Sequence, residues 1–171
     1  MSICVLAFDC FGTVFSMDGV ARVEIGAYVD QVHAEEWAPI VFPESWKALK
    51  AHPDSKEGIE RLQAAGYTCA ALSNGTKELI AHISEANGIH WDHIVDLAKY
   101  RVYKPKLEAY LAAARDIGCL PAQMMMITAN KDFGDIEGSE AAGMTSQLIR
   151  CPPYSPKTII ELANQLKRNN P

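Results

Sequence analysis

The chain has 171 residues, enough for one domain with a substantial core and too few for two full ones. Hydrophobic residues make up 49 % and charged residues 22 %, a globular balance, and no apolar run reaches the roughly 20 residues a membrane span needs. The net charge of −5, from 16 Lys+Arg against 21 Asp+Glu, lacks the basic footprint of a nucleic-acid binder and leaves a small molecule as the expected partner.

The opening residues carry no basic stretch ahead of their short apolar run. That run reads as a buried strand and not as a signal peptide, so a cytoplasmic protein is expected. The five cysteines, Cys4, Cys10, Cys69, Cys119 and Cys151, are odd in number and form no C-x-x-C pair, which suggests neither a disulfide framework nor a zinc site.

In chain order, short apolar runs predict strands at 3–8, 67–72, 124–128 and 145–149, with a weaker one at 93–95. Helical patterns lie between them. The first covers 20–37, with Ile25, Tyr28, Val29 and Val32 on one face, and a segment with prolines and a tryptophan follows at 39–46. The next helix starts at Asp54, where Glu57 completes a capping-box pattern, and stops at Gly66. Helices at 77–87, after Lys104-Pro105 with Pro105 in the first turn, at 135–142 and at 158–167 complete the alternation. Alternating strands and helices predict βαβ units and an α/β fold with a mostly parallel sheet. The stretch 16–52 breaks the alternation. It follows the first strand, stands at the carboxyl end of the sheet where α/β folds bind ligands, and is expected to be a small helical cap within a single domain, 1–171.

Chemistry concentrates at the strand ends. The first strand runs into Asp9, and Gly12 permits a sharp turn after it, so a carboxylate able to act as nucleophile or metal ligand faces the crevice. The second strand ends in Ser73-Asn74-Gly75, donors suited to an anionic group at a helix start. Lys104 stands locked ahead of a proline, where it would neutralise a carboxylate. The very apolar strand at 124–128 leads into Asn130, Asp132 and Asp135. His82, His90 and His93 lack ligand spacing and read as solvated.

Taken together and in this order, Asp9-x-Phe11-Gly12-Thr13, Ser73-Asn74-Gly75, Lys104-Pro105 and Asp135-x-x-Gly138 resemble the four motifs of the haloacid dehalogenase-like hydrolase superfamily. The resemblance implies a Rossmann-like core, a cap after the first motif and a covalent aspartyl intermediate. On it, Asp9 is the nucleophile, Lys104 neutralises the carboxylate, and Asp135 orients Lys104 or the hydrolytic water. Thr13, Phe11, Ser73, Asn74, Tyr110, Asn130 and Asp132 would line the substrate.

The superfamily's phosphatases generally carry a second Asp two residues after the nucleophile. Here that residue is Phe11, which transfers no proton, whereas the dehalogenases usually have a tyrosine there and their halide leaves unprotonated. Tyr110, six residues after Lys104, also matches the dehalogenases. The expected function is therefore dehalogenase-type cleavage of a small acidic substrate without a cofactor. One alternative is a phosphatase or phosphonatase using Mg²⁺ held by Asp9 and Asp135. The other is a binding or regulatory protein that kept the fold and lost turnover. The cap departs from the dehalogenase pattern, since its only arginine, Arg22, does not match the spacing of their substrate-binding arginine. Trp37, Trp46 and residues 39–43 are expected to form an exposed apolar patch that a partner, or a second copy in a homodimer, would cover.

Overall fold

The computed structural model describes residues 2–169. Five strands form one sheet: β1 (Val5–Phe8), β2 (Thr68–Ala71), β3 (His93–Ile94), β4 (Met124–Thr128) and β5 (Thr145–Leu148). Their spatial order is β3-β2-β1-β4-β5 and every pairing is parallel. β1 is central, with Val5 opposite Thr68 on one side and Met124 on the other, and Phe8 opposite Ala71 and Ile127. All four of its residues are buried, as expected for a strand covered on both faces.

Side-chain alternation along β1 divides the core. Leu6 and Phe8 join the layer built by α2 (Ser55–Ala64), α3 (Lys77–Ala86) and α6 (Ile159–Asn169). Val5 and Ala7 join the opposite layer, which holds α4 (Leu107–Ile117) together with Met124, Met126 and Met144. Helices on both faces of a parallel sheet make a Rossmann-like α/β fold. Sequential strands run outward from β1 through β2 to β3, then restart on its other side at β4. The chain therefore reverses direction between β1 and β4, and ligands bind beside the carboxyl ends at such a switch point. Asp9 and Asn130 stand at those two ends. Among the described residues, no helix is long and apolar enough to cross a membrane.

Residues 16–52 contain α1 (Arg22–Val32) and a 3₁₀ turn at Glu44–Ala48. The expected exposed patch is not found there. Trp46 is fully buried against Phe11, Tyr28 and Phe42, and its Nε1 donates to Glu24 of α1 at 3.2 Å. Trp37 is half-buried and stacks on Tyr103 with ring centroids 5.7 Å apart. Tyr103 also fastens this segment to the core, because its hydroxyl accepts from the Ile40 N–H at 3.1 Å and donates to the Ala38 carbonyl at 2.7 Å. The aromatic side chains of this segment are spent on holding it down, while Val23 and Val41 stand exposed singly.

Three local expectations change for physical reasons. The Asp54 side chain does not cap α2; it accepts from the Arg150 guanidinium at 2.9 and 3.1 Å and from the Ile159 N–H at 2.7 Å, a charge-assisted pairing stronger than a cap. Burial works against ionisation of Asp54, yet these donors hold its carboxyl below the ordinary range. Pro105 precedes α4, which begins at Leu107 with Lys106 as its N-cap. His93 is half-buried and pairs with Asp116 at 2.9 Å.

Candidate active site

Gly12, at a φ of +87°, turns the chain after β1 and lets Asp9 face the crevice; glycine takes this left-handed conformation without the steric cost a side chain brings. Asp9 is buried and receives three donors. Thr13 Oγ1 and Asn130 Nδ2 reach its Oδ2 at 2.7 and 2.6 Å, and Lys104 Nζ reaches its Oδ1 at 2.9 Å. Thr13 is itself held by the Ala129 N–H at 2.9 Å, and Asn130 also donates to the Phe11 carbonyl at 3.0 Å. β1 and β4 thus converge on one carboxylate.

Lys104 is 1 % exposed and lies between two acids, with Asp135 Oδ1 3.1 Å away on the side opposite Asp9. A buried ammonium survives only where opposite charge offsets its lost hydration. Burial works against the charged form here, but Asp135 and Asp9 outweigh it and raise the Lys104 pKa well above its ordinary value. Asp9 moves the other way from a simple ion pair. Burial is the largest influence and raises its pKa, Lys104 opposes this, and the Asp135 charge raises it further. Two carboxylates around one cation thus raise Lys104, while burial is what chiefly raises Asp9.

The Lys104 backbone is clamped by Asn74, which accepts from its N–H at 2.8 Å and donates to its carbonyl at 3.0 Å. Asn74 therefore positions the lysine through the main chain. Ser73 Oγ accepts from the Gly75 N–H at 3.0 Å and shapes the turn after β2. Tyr110 donates to Asp135 Oδ1 at 2.6 Å from α4. Gly138, one turn into α5 (Asp135–Ala141), makes this contact feasible, because a Cβ there would collide with the Tyr110 ring. Tyr110→Phe would leave a buried carboxylate short of a donor and is expected to cost about 1–3 kcal/mol in chemical denaturation. A loss below about 0.5 kcal/mol would show that Tyr110 serves by ring packing alone.

Asp9, Thr13, Lys104, Asp135, Tyr110, Asn74 and Asn130 are thus brought together. Phe11 turns its ring into the aromatic group of Tyr28, Phe42 and Trp46 beside the site. Asp132 stands exposed at the rim of the adjoining cleft, away from Asp9's three donors.

Two residues were not singled out from the sequence. Tyr28 reaches down from α1, lines the cleft and sets its hydroxyl at the Asn74 side chain; burial raises its pKa. Its only sequence signal was its place on the apolar face of α1. Arg150 follows β5, pairs with Asp54 and donates through Nε to the Thr13 carbonyl at 2.9 Å, bracing the loop that carries Thr13. A charged residue at a fifth strand end was the available clue.

The donor set also bears on metal binding. Asp9 and Asp135 both turn to an ammonium, Asn130 presents its NH₂ to Asp9, and among the described residues no three His, Cys, Asp or Glu side chains are grouped for a metal. Mg²⁺ demands an octahedron of oxygens. The residues as placed do not fit one.

A doubly wound parallel sheet with a buried Asp–Lys–Asp group at its strand ends defines an α/β fold with a carboxylate-centred site. The chain belongs to the haloacid dehalogenase-like hydrolase family, whose profile matches residues 22–143. It is 31 % identical over 90 residues to (S)-2-haloacid dehalogenase 4A of Burkholderia cepacia, covering 50 % of this chain and 38 % of that protein. It is also 29 % identical over 103 residues to a glyceraldehyde 3-phosphate phosphatase of Methanothermobacter thermautotrophicus, covering 59 % and 45 % of the two chains. The chain thus spans about half, or less, of the length of the curated relatives it matches. Among solved structures, a defluorinating L-2-haloacid dehalogenase superposes with a TM-score of 0.79 at 24 % identity, covering 96 % of this chain and 95 % of that one, which is a likeness of fold.

Proposed function

We propose that the protein hydrolyses a carbon–halogen bond in a small 2-haloacid, using Asp9 as nucleophile and no metal. The observation that carries this reading is the Lys104 ammonium seated between Asp9 and Asp135, with Phe11 at the position two residues after the nucleophile. An Asp9 oxygen attacks the carbon bearing the halogen; the new C–O bond forms as the carbon–halogen bond breaks, and halide departs with the bonding pair. Water then adds to the Asp9 carbonyl carbon, the hydroxyacid leaves, and the proton released passes to solvent or to a nearby carboxylate. Asp135, held by Lys104 and Tyr110, is the carboxylate closest to that step. The halide leaves without a proton, so Phe11 costs nothing in the first step, whereas it would remove the general acid that the alcohol leaving group of a phosphate ester needs there. In the second step the departing alkoxide takes one of the two protons of the attacking water. Residues 16–52 act as a small cap that covers the site through α1 and Tyr28.

The phosphatase relative supports a second reading, a Mg²⁺-dependent phosphohydrolase; the poor fit of the donor set to magnesium weighs against it. Halide release from a racemic 2-haloacid, measured with a chelator present, separates the two. Release that the chelator leaves unchanged is the expected result. No halide, together with phosphate-ester hydrolysis restored by Mg²⁺, would overturn the carbon–halogen reading, and no turnover of either substrate class would favour a binding protein that kept the fold.

A further inference from the structure

Next to Asp9 lies a cleft of about 650 Å³. At its floor is Asn130, the residue whose amide touches Asp9, and its walls are apolar: Met17, Ile25 and Val29 on one side and Phe133 on the other. Phe133 links the cleft to the charged group, since Lys104 Nζ lies 5.9 Å from its ring centroid. Among the described residues, the only charged ones lining the cleft are Lys131 and Asp132, adjacent, exposed and opposite in sign, so this wall offers no net attraction to a second anionic group.

A volume of this size lies in the range that takes a drug-sized ligand. A two- or three-carbon acid would leave most of it to water against apolar walls. On the proposed reading of the site, we infer that the substrate class is an acid with an extended, uncharged apolar tail of several carbons. The reacting carbon sits at Asp9 and the tail lies along Ile25, Val29 and Phe133. Moving each methylene from water to such walls is worth about 0.8 kcal/mol, which corresponds to a roughly fourfold gain in affinity per carbon.

The test needs no chemistry. Unreactive straight-chain carboxylates from acetate to octanoate are titrated into the wild-type protein by calorimetry, alongside an Ile25→Thr/Val29→Thr double variant that keeps both side chains β-branched, Val29→Thr isosteric and Ile25→Thr one carbon shorter. The expected result is a dissociation constant falling about threefold to fourfold per methylene in wild type. In the variant the slope is shallower, with octanoate weakened about tenfold and acetate unchanged. A flat series, no binding at any length, or an equal slope in the variant would overturn the inference. Because binding is read without turnover, a protein that releases no halide but keeps the slope would lose the carbon–halogen reading and retain the tail site. Halide release from short acids with a flat slope would do the reverse.

Discussion

Asp9→Asn is expected to lower product formation by about 10⁴-fold or more, in line with the loss of a covalent nucleophile from a preorganised site. Among the described residues, no neighbouring carboxylate is placed to substitute. Asp135 is fully buried behind Lys104 and Tyr110, and Asp132 stands exposed at the rim of the cleft. The same mechanism makes an isotopic prediction: in a single turnover in ¹⁸O water, one heavy oxygen should appear in the protein at Asp9, because water attacks the carbonyl of the aspartyl ester. Label found only in the product would mean that water attacks the substrate directly and that Asp9 acts as a base. The acid limb of the rate profile gives a third reading of the same carboxylate. The reactive form is ionised and is lost as the pH falls through its folded-state pKa. Burial and the Asp135 charge lift that pKa above the ordinary 3.8, so activity should begin to fall at a higher pH than an unperturbed aspartate would dictate. A limb at or below 3.8 would show that Lys104 outweighs burial.

Much of this arrangement was legible in the residues because parallel sheets write it plainly. Each buried strand is a short apolar run, and the residue after the run stands at the crevice, so Asp9, Ser73-Asn74 and the Asn130–Asp135 stretch could be placed before any geometry was known. What the sequence did not reveal is contact made across the fold. Asn74 reads as a substrate donor, but its amide is taken up by both main-chain groups of Lys104, thirty residues on. Trp46 reads as surface because it lies in a proline-containing stretch, yet Phe11, Tyr28 and Phe42 meet it only once the chain after β1 has folded back. Asp54 illustrates a competition between partners: a local capping pattern predicts one, and a guanidinium from beyond β5 supplies a stronger one. Local rules place elements and strand ends, while the pairing of polar groups depends on which distant donors arrive.

Lys104→Met should both inactivate the protein and destabilise its fold by about 3–5 kcal/mol near neutral pH, the usual cost of removing one partner from a buried ion group. Methionine fills most of the volume, so the loss is electrostatic: Asp9 and Asp135 would remain buried, close together and uncompensated. This cause has a pH signature. Without the ammonium, Asp9 takes a folded-state pKa still further above that of the unfolded chain. A group whose pKa is raised on folding binds protons more tightly in the folded state, so stability falls as the pH rises through that folded-state value and returns on acidification. The gap between wild type and variant, measured by urea denaturation at pH 5 and pH 8, should therefore narrow at the lower pH. Adding Asp135→Asn to Lys104→Met removes one of the two stranded charges and should recover part of the loss at pH 8, a coupling that a double-mutant cycle isolates. Equal destabilisation at both pH values, with no recovery in the double variant, would mean that the Lys104 side chain contributes through packing and that the Asp–Lys–Asp group is not what holds the two carboxylates in the site.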